Sequence, residues 1–442
     1  MDLRQIPRQR VSLLFRYFTI LLMPLTTVLT LGTVQAIELS ETEEFKVIQY
    51  KLSDIENLHN KSIPSLSLMA LVRGKLKPIP FQIDEYDVVG DVHFEESGTP
   101  MVGNKDVIDG EDKLLFMLRD SGPRRSGDEL IDGDILSELV INTDGGNKRY
   151  AYIIEGSRLR SDDFHVRYSK DLNQVETDYY SITTNPKNAL NWDDIQYFAF
   201  NGPQDSPMDS LKIRLSGGLF LPFPRIKLDN DNFIATPYAE RVGPVRATTQ
   251  FKVVWSMFKI PVIDFQMQVH YYPQSLTYSA RLDIPRLQRM VLWKPELTLS
   301  LDGNNLAGTE IEVPLTPNNK GLVDGKISDQ EITMISEGID LNNNWVNVNT
   351  NRALHAMAFF DYIGDTKIPI KLLYMDSKTQ KEKPERYAGQ GPNIGYVVTD
   401  IPKKGFLGMR VNLFFSEKWH GEGKHVAKEL RAQPQIIALQ VE

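Results

Sequence analysis

Cysteine is absent from this 442-residue chain. That absence removes disulfides, thiol nucleophiles, cysteine zinc sites, c-type haem attachment and lipoprotein anchoring together. Long apolar runs are missing after the first 36 residues, since no later stretch approaches the ~18 consecutive apolar residues of a membrane helix. Excess positive charge is lacking as well. The formal net charge is −8, so a nucleic-acid partner, which requires a basic surface, is not expected. Gly-x-Ser-x-Gly, a phosphate loop and His-Glu-x-x-His are all missing, which excludes the commonest hydrolase, nucleotide and zinc-protease signatures. Arg119-Asp120-Ser121-Gly122-Pro123 lacks the second glycine of a trypsin-like nucleophile segment. Helical periodicity is scarce, and neither internal repeats nor low-complexity tracts are found.

What is present begins with an export signal. Arg4, Arg8, Arg10 and Arg16 form a basic start, Phe18 to Leu31 is mostly apolar, and Val34-Gln35-Ala36 offers small residues for cleavage. Cleavage after Ala36 is expected, with residues 1–36 as signal peptide. Setting aside that segment's four Arg and one Asp takes the charge from −8 to −11. An exported, cysteine-free chain fits the periplasm of a Gram-negative-type bacterium or its medium, with no membrane span after signal removal.

Short alternating runs separated by Gly, Pro, Asn and Asp dominate the remainder and predict strands. Val140 to Ile154, turning at Asp144-Gly145-Gly146, reads as a hairpin. Ser328 to Glu337 and Gly423 to Arg431 are the expected short helices. Asn201 to Pro207 carries two Pro and a Gly among polar residues and marks a boundary. A β-rich domain over 37–200 and a β-sandwich domain over 201–442 are expected, in a mainly β, antiparallel architecture.

Two constellations carry chemistry. From Asp84 to Asp134 there are fifteen Asp or Glu against five Lys or Arg. Carboxylates so dense repel unless water, basic partners or a metal relieve them. Asp84, Asp87, Asp106, Asp109 and Glu111 are the candidate ligands for calcium, which takes six to eight oxygens from such groups, with Gly110 allowing the backbone to fold around the ion. Asp324 to Glu331 matches only the second half of an EF-hand loop, because Lys320 and Leu322 stand where the first ligands belong, and reads as a turn before a helix.

The second constellation is a sheet face. Phe265 to Tyr271 and Leu276 to Ile284 alternate so that pairing Val269 with Tyr278 and His270 with Thr277 puts both apolar sets on one side. The other side gathers Arg246, Gln268, His270 and Arg281 as a candidate glycan-binding surface of a one-sided sheet. Val254 to Val262, an apolar turn, suggests a docking tip for an envelope protein. Trp192 and Trp345, in Asn- and Asp-rich surroundings, are candidates for stacking on sugar rings.

Pro80-Phe-Gln-Ile-Asp-Glu85, the run Asp112-Lys-Leu-Leu-Phe-Met-Leu-Arg-Asp120 and Val242-Gly-Pro-Val-Arg246 together resemble a pattern in exported bacterial proteins of largely unknown function. Some of these are carbohydrate-associated and similar to the β-sandwich of the galactose-mutarotase type. The resemblance implies a β supersandwich and a glycan connection, and transfers no catalytic residue. An Asp-Gly-Asp-Gly string usual in the pattern is replaced by Asp87-Val-Val-Gly-Asp91. The expected function is an exported protein that binds or processes envelope or extracellular polysaccharide. Alternatives are a non-catalytic envelope assembly subunit, or a glycan lyase or epimerase using His270 with Tyr272 or Arg281.

Overall fold

The period-2 alternation is realised almost throughout. The computed structural model describes residues 39–441, apart from 205, 223, 258, 285, 287–289, 291, 315–318, 380–382 and 388–390. Within these residues the strands form five antiparallel sheets. The expected leader and its cleavage site at Ala36 lie outside the described residues. No described helix is long and apolar enough to cross a membrane.

A nine-stranded sheet is the centre of the molecule. Its order runs Phe233–Val242, Ala247–Met257, Ile260–Tyr272, Ser275–Ile284, Gly405–Ser416, His355–Ile363 and Val346–Asn349, then the short strands Glu310–Glu312 and Lys320–Leu322. Its apolar side faces a five-stranded sheet built on Met208–Leu219, Leu292–Gly303 and Asn393–Val398, and the shared core contains Leu211, Phe251, Met267, Tyr396 and Met409. This is a mainly β, antiparallel sandwich. The predicted register holds, with Val269 opposite Tyr278 and His270 opposite Thr277. The turn is tighter than expected: Tyr272 pairs directly with Ser275, leaving only Pro273 and Gln274 between them.

N-terminal to it, a three-stranded sheet (Val47–Lys51, Lys113–Met117, Phe81–Asp84) packs on a five-stranded one that includes Leu66–Val72, Asp134–Asn142 and Lys148–Glu155. The hairpin expected at 140–154 joins the last two, and the positive φ of +77° that its turn demands falls on Gly146. The chain passes from Asn188–Tyr197 to Met208–Leu219 around the expected boundary. The final strand, Gln435–Gln440, returns to pair with Asp134–Asn142, and the described chain forms one compact unit.

The helices stand where spacing put them, at Asp329–Glu337 and Gly423–Arg431. Ser328 caps the first in a capping box with Glu331, so the half EF-hand motif is a turn and helix start. Trp192 and Trp345 are buried in core clusters, which corrects their reading as sugar-stacking residues. The indole of Trp192 donates to Tyr278 Oη at 3.1 Å inside the protein.

The one-sided sheet is the main correction. Gln268 is 2% exposed, His270 8% and Ser279 3%, so the polar face is buried as well. The acidic segment covers it. A polar face with this many donors and a loop with this many acceptors satisfy one another at lower cost than either satisfies itself.

Candidate ligand-binding cleft

The three sequence fragments of the resemblance meet at one joint. Lys113–Met117 pairs with Phe81–Asp84, with Gln82 opposite Leu115. The Gln82 side-chain carbonyl accepts from the backbone N–H groups of Val245, at 3.2 Å, and Arg246, at 2.8 Å. Gly243 permits that approach, because a Cβ there would sit 2.2 Å from Gln82 Oε1. The Arg246 guanidinium then forms a fully buried ion pair with Asp84 and donates to Tyr272 Oη at 3.0 Å and Tyr86 Oη at 3.3 Å. A buried Arg needs such a counter-charge and acceptors, and here they engage both terminal nitrogens and leave Nε without a partner.

The four predicted ligand residues divide into two pairs. Gln268 clasps the acidic segment: its Oε1 accepts from Val92 N at 3.1 Å and its Nε2 donates to Val92 O at 2.7 Å. Arg281 holds the same segment through an ion pair with Asp91 at 2.8 Å. Neither faces open space. Arg246 and His270, by contrast, line a cleft of about 540 Å³ between the nine-stranded sheet and the three-stranded one.

Other walls of the cleft went unnoticed in the sequence. Lys51 and Gln49 enter from the first strand, Tyr86 and Asp91 from the acidic segment, Arg410 and Asn412 from the sheet, and Arg431 from the last helix. Cations predominate. Lys51 is paired with Glu111 at 2.6 Å and Arg431 with Asp361 at 3.0 Å. Lys113 and Arg410 make no ion pair among the described residues; Lys113 Nζ lies 4.3 Å from the centre of the Tyr86 ring, and the buried Nε of Arg410 has no hydrogen-bond partner. Burial lowers the Lys113 ammonium below its ordinary value, with Glu111 opposing the shift and the like charges of Arg246 and Arg410 adding to it. A polar chain crosses the floor, from Thr277 to Asn412 (2.9 Å), Asn412 to Asp361 (2.9 Å) and Arg431 to Asp361.

His270 is neutral in this setting. Burial first, then the positive charges of Arg246 and Arg410, push its imidazole well below its ordinary value. Its Nδ1 is shared with Thr248 Oγ1 at 3.0 Å. Asp91 is shifted in the opposite direction: burial raises its carboxyl, and Arg281 offsets part of that. Tyr272 completes the group, its ring centre 6.4 Å from that of His270. A neutral imidazole, a phenol and a cluster of cations on one cleft suit an anionic, hydroxyl-rich ligand.

The five predicted metal ligands do not converge. Asp84 faces Arg246, and Glu111 faces Lys51. Asp87 accepts from Val89 N and Asp91 N, both at 3.0 Å, in a tight turn. Asp109 accepts from Asn104 N at 2.7 Å, and Asp106 is held by its own N–H on Glu85 at 2.6 Å. Among the described residues, ligand atoms of three carboxylates approach one another only at Asp209, Asp302 and Glu385, where the Lys212 ammonium pairs with Asp302 and lies 3.4 Å from Glu385. The expected calcium role thus has no cage of these five residues behind it.

No protein-family model matches this chain. No curated protein matches it either. Among solved structures it is similar to an α-mannosidase from Enterococcus faecalis V583, at 11% identity over 90% of this chain and 44% of that one, TM-score 0.46. A glycosyl hydrolase family 38 protein from Enterococcus faecalis matches at 10% identity, over 90% of this chain and 46% of that one, TM-score 0.45. A galactose mutarotase-like protein from Clostridium acetobutylicum matches at 8% identity, over 58% of this chain and all of that one, TM-score 0.32. The chain spans less than half the length of the first two.

Proposed function

We propose that the protein binds an anionic, carboxylate-bearing polysaccharide in the cleft between its nine-stranded and three-stranded sheets, as an exported protein of the periplasm or medium. The observation that carries this reading is the pair Lys113 and Arg410, two cations on a polar cleft that make no ion pair among the described residues. A partly desolvated cation without a counter-ion costs free energy, and an anionic ligand recovers it. Gln49, Asn412 and Thr277 supply neutral donors and acceptors for hydroxyls. The cleft volume, about 540 Å³, holds a few sugar rings rather than a whole polymer.

A second reading, turnover of that ligand, is favoured by His270 and Tyr272 sharing the cleft. His270 Nε2 would take the proton α to a uronate carboxylate, the released electron pair would form the C4=C5 double bond, the C4–O bond would break, and Tyr272 would protonate the departing oxygen. Arg281, the other partner considered for this chemistry, is occupied by Asp91.

One assay separates these readings. Polygalacturonate and neutral dextran are titrated into the protein and into Lys113→Ala/Arg410→Ala, while ultraviolet absorbance follows any unsaturated product. The expected result is retention of polygalacturonate alone, with affinity falling at least tenfold in the variant and steeply with salt. Equal retention of dextran, or an unchanged affinity in the variant, overturns recognition of an anionic glycan by this cleft. Silence on both polymers favours a non-catalytic envelope subunit. New absorbance that disappears in His270→Ala establishes turnover.

A further inference from the structure

The opposite face of the same sheet leaves a space. Register points Tyr278, Ala280, Ala358, Val411, Leu297 and Leu299 into the interior between the two main sheets. In a close-packed core such residues lose nearly all access to a water-sized sphere. Here they are only partly buried, while the polar residue between two of them, Ser279, is 3% exposed. Their access is to an apolar cavity of about 210 Å³ between the sheets. The small side chains of Ala280 and Ala358 leave room that a Leu or Phe would fill.

We propose that this cavity is a binding site for a linear hydrocarbon chain. Its size and lining make it a guest site: an engineered dry cavity of about 150 Å³ lined by Leu, Ile and Phe takes up benzene or xenon. Its shape selects the guest. On the nine-stranded sheet the lining runs from Phe233 and Trp255 across seven consecutive strands to Val346 and Val348. Six inter-strand steps of ~4.8 Å make that about 29 Å. A modest volume drawn out over that width is a narrow channel, which fits an unbranched chain and leaves a compact ring poorly packed. The site lies on the face of the sheet opposite the cationic cleft and is independent of the glycan reading.

The test uses decan-1-ol, an uncharged probe, so that the cationic cleft contributes no charge attraction. Trp255 lines the cavity and is one of five tryptophans, so the part of the fluorescence change that is lost in Trp255→Phe reports occupancy. Wild-type protein is expected to bind decan-1-ol saturably, with affinity rising at least tenfold from hexan-1-ol to decan-1-ol. Ala280→Leu/Ala358→Leu is expected to lose binding at least tenfold with an equal or higher Tm, while Lys113→Ala/Arg410→Ala retains it. Absence of saturable binding, an affinity independent of chain length, or unchanged binding in the filled variant would overturn the proposal. The chain-length series needs only the wild-type protein, so it decides even if the filled variant does not fold. Extraction of purified protein into chloroform, followed by mass spectrometry, tells a free fatty acid from a phospholipid chain as the natural guest.

Discussion

The two faces of the nine-stranded sheet invert the usual expectation. Around Gln268 its polar face is closely covered: Gln250, Gln268 and Ser279 are buried and Gln268 is clasped by Val92 of the acidic segment, while toward Arg246 and His270 the same face opens on the cleft. Its apolar face contacts another sheet and still leaves a cavity of about 210 Å³. Hydrogen bonds and ion pairs are directional and short, so a covering loop must come close to make them. Apolar packing between sheets has no such demand. The spacing is set near 10 Å by the largest side chains, such as Trp255 and Tyr396, and small residues such as Ala280 fall short of the facing layer.

The most severe way to break that contrast is to remove the acidic partner at the joint. Asp84→Ala leaves Arg246 buried with only two phenol oxygens and no counter-charge, and is expected to cost about 3 to 5 kcal/mol in denaturant unfolding. A loss below about 1 kcal/mol would mean that the polar face is not clamped by charge. Adjacent substitutions of one residue type then compare the faces directly. Ser279→Leu must force a larger side chain into the packed polar side, at a cost of about 2 kcal/mol. Ala280→Leu points into the cavity and is expected to be neutral or to stabilise by up to about 1 kcal/mol. Equal effects from the two in thermal melting would erase the distinction between the faces.

A pH series sharpens the account of how the acidic segment tolerates its charge. Burial, against the hydrogen bond from the Asp109 N–H and with the negative charges of Asp109 and Glu85, pushes the Asp112 carboxyl up to about 7. A carboxyl raised in the folded state holds its proton there while the unfolded chain has released it. Its contribution to stability is therefore full below about pH 4 and is lost as pH rises to 7. Asp112→Asn cannot titrate, so its stability relative to wild type is expected to climb by about 1.4 kcal/mol per pH unit between pH 4 and 7. A pH-independent difference would place the Asp112 carboxyl in the ordinary range.

Local features were the legible ones. The strand register at Val269 and Tyr278, the helix at Gly423–Arg431 and the capping box at Ser328 each depend on residues close in sequence, where periodicity and capping chemistry act directly. Half of the proposed ligand face was legible too, since Arg246 and His270 do line the cleft. Gln268 and Arg281 belong to the same face yet serve the fold, and period-2 alternation cannot tell a side chain that meets solvent from one that meets a loop 176 residues away. Arg410 shows the same limit. It alternates with Met409 and Val411 on a strand whose partners are Ser279 and Asp361, a neighbourhood created only by long-range pairing.

By itself, the order of residues determined that this chain builds antiparallel strands, where those strands turn, and that one segment carries far more acid than it can bear alone. Each follows from forces that act over a few residues: steric alternation, turn geometry and short-range repulsion. Only the tertiary structure decided that the acid segment and the polar sheet face are each other's partners, that Lys113 and Arg410 line one cleft without an ion pair among the described residues, and that the sandwich is not full. Those outcomes depend on which distant groups meet, and pairing energies across space are not written in any local pattern.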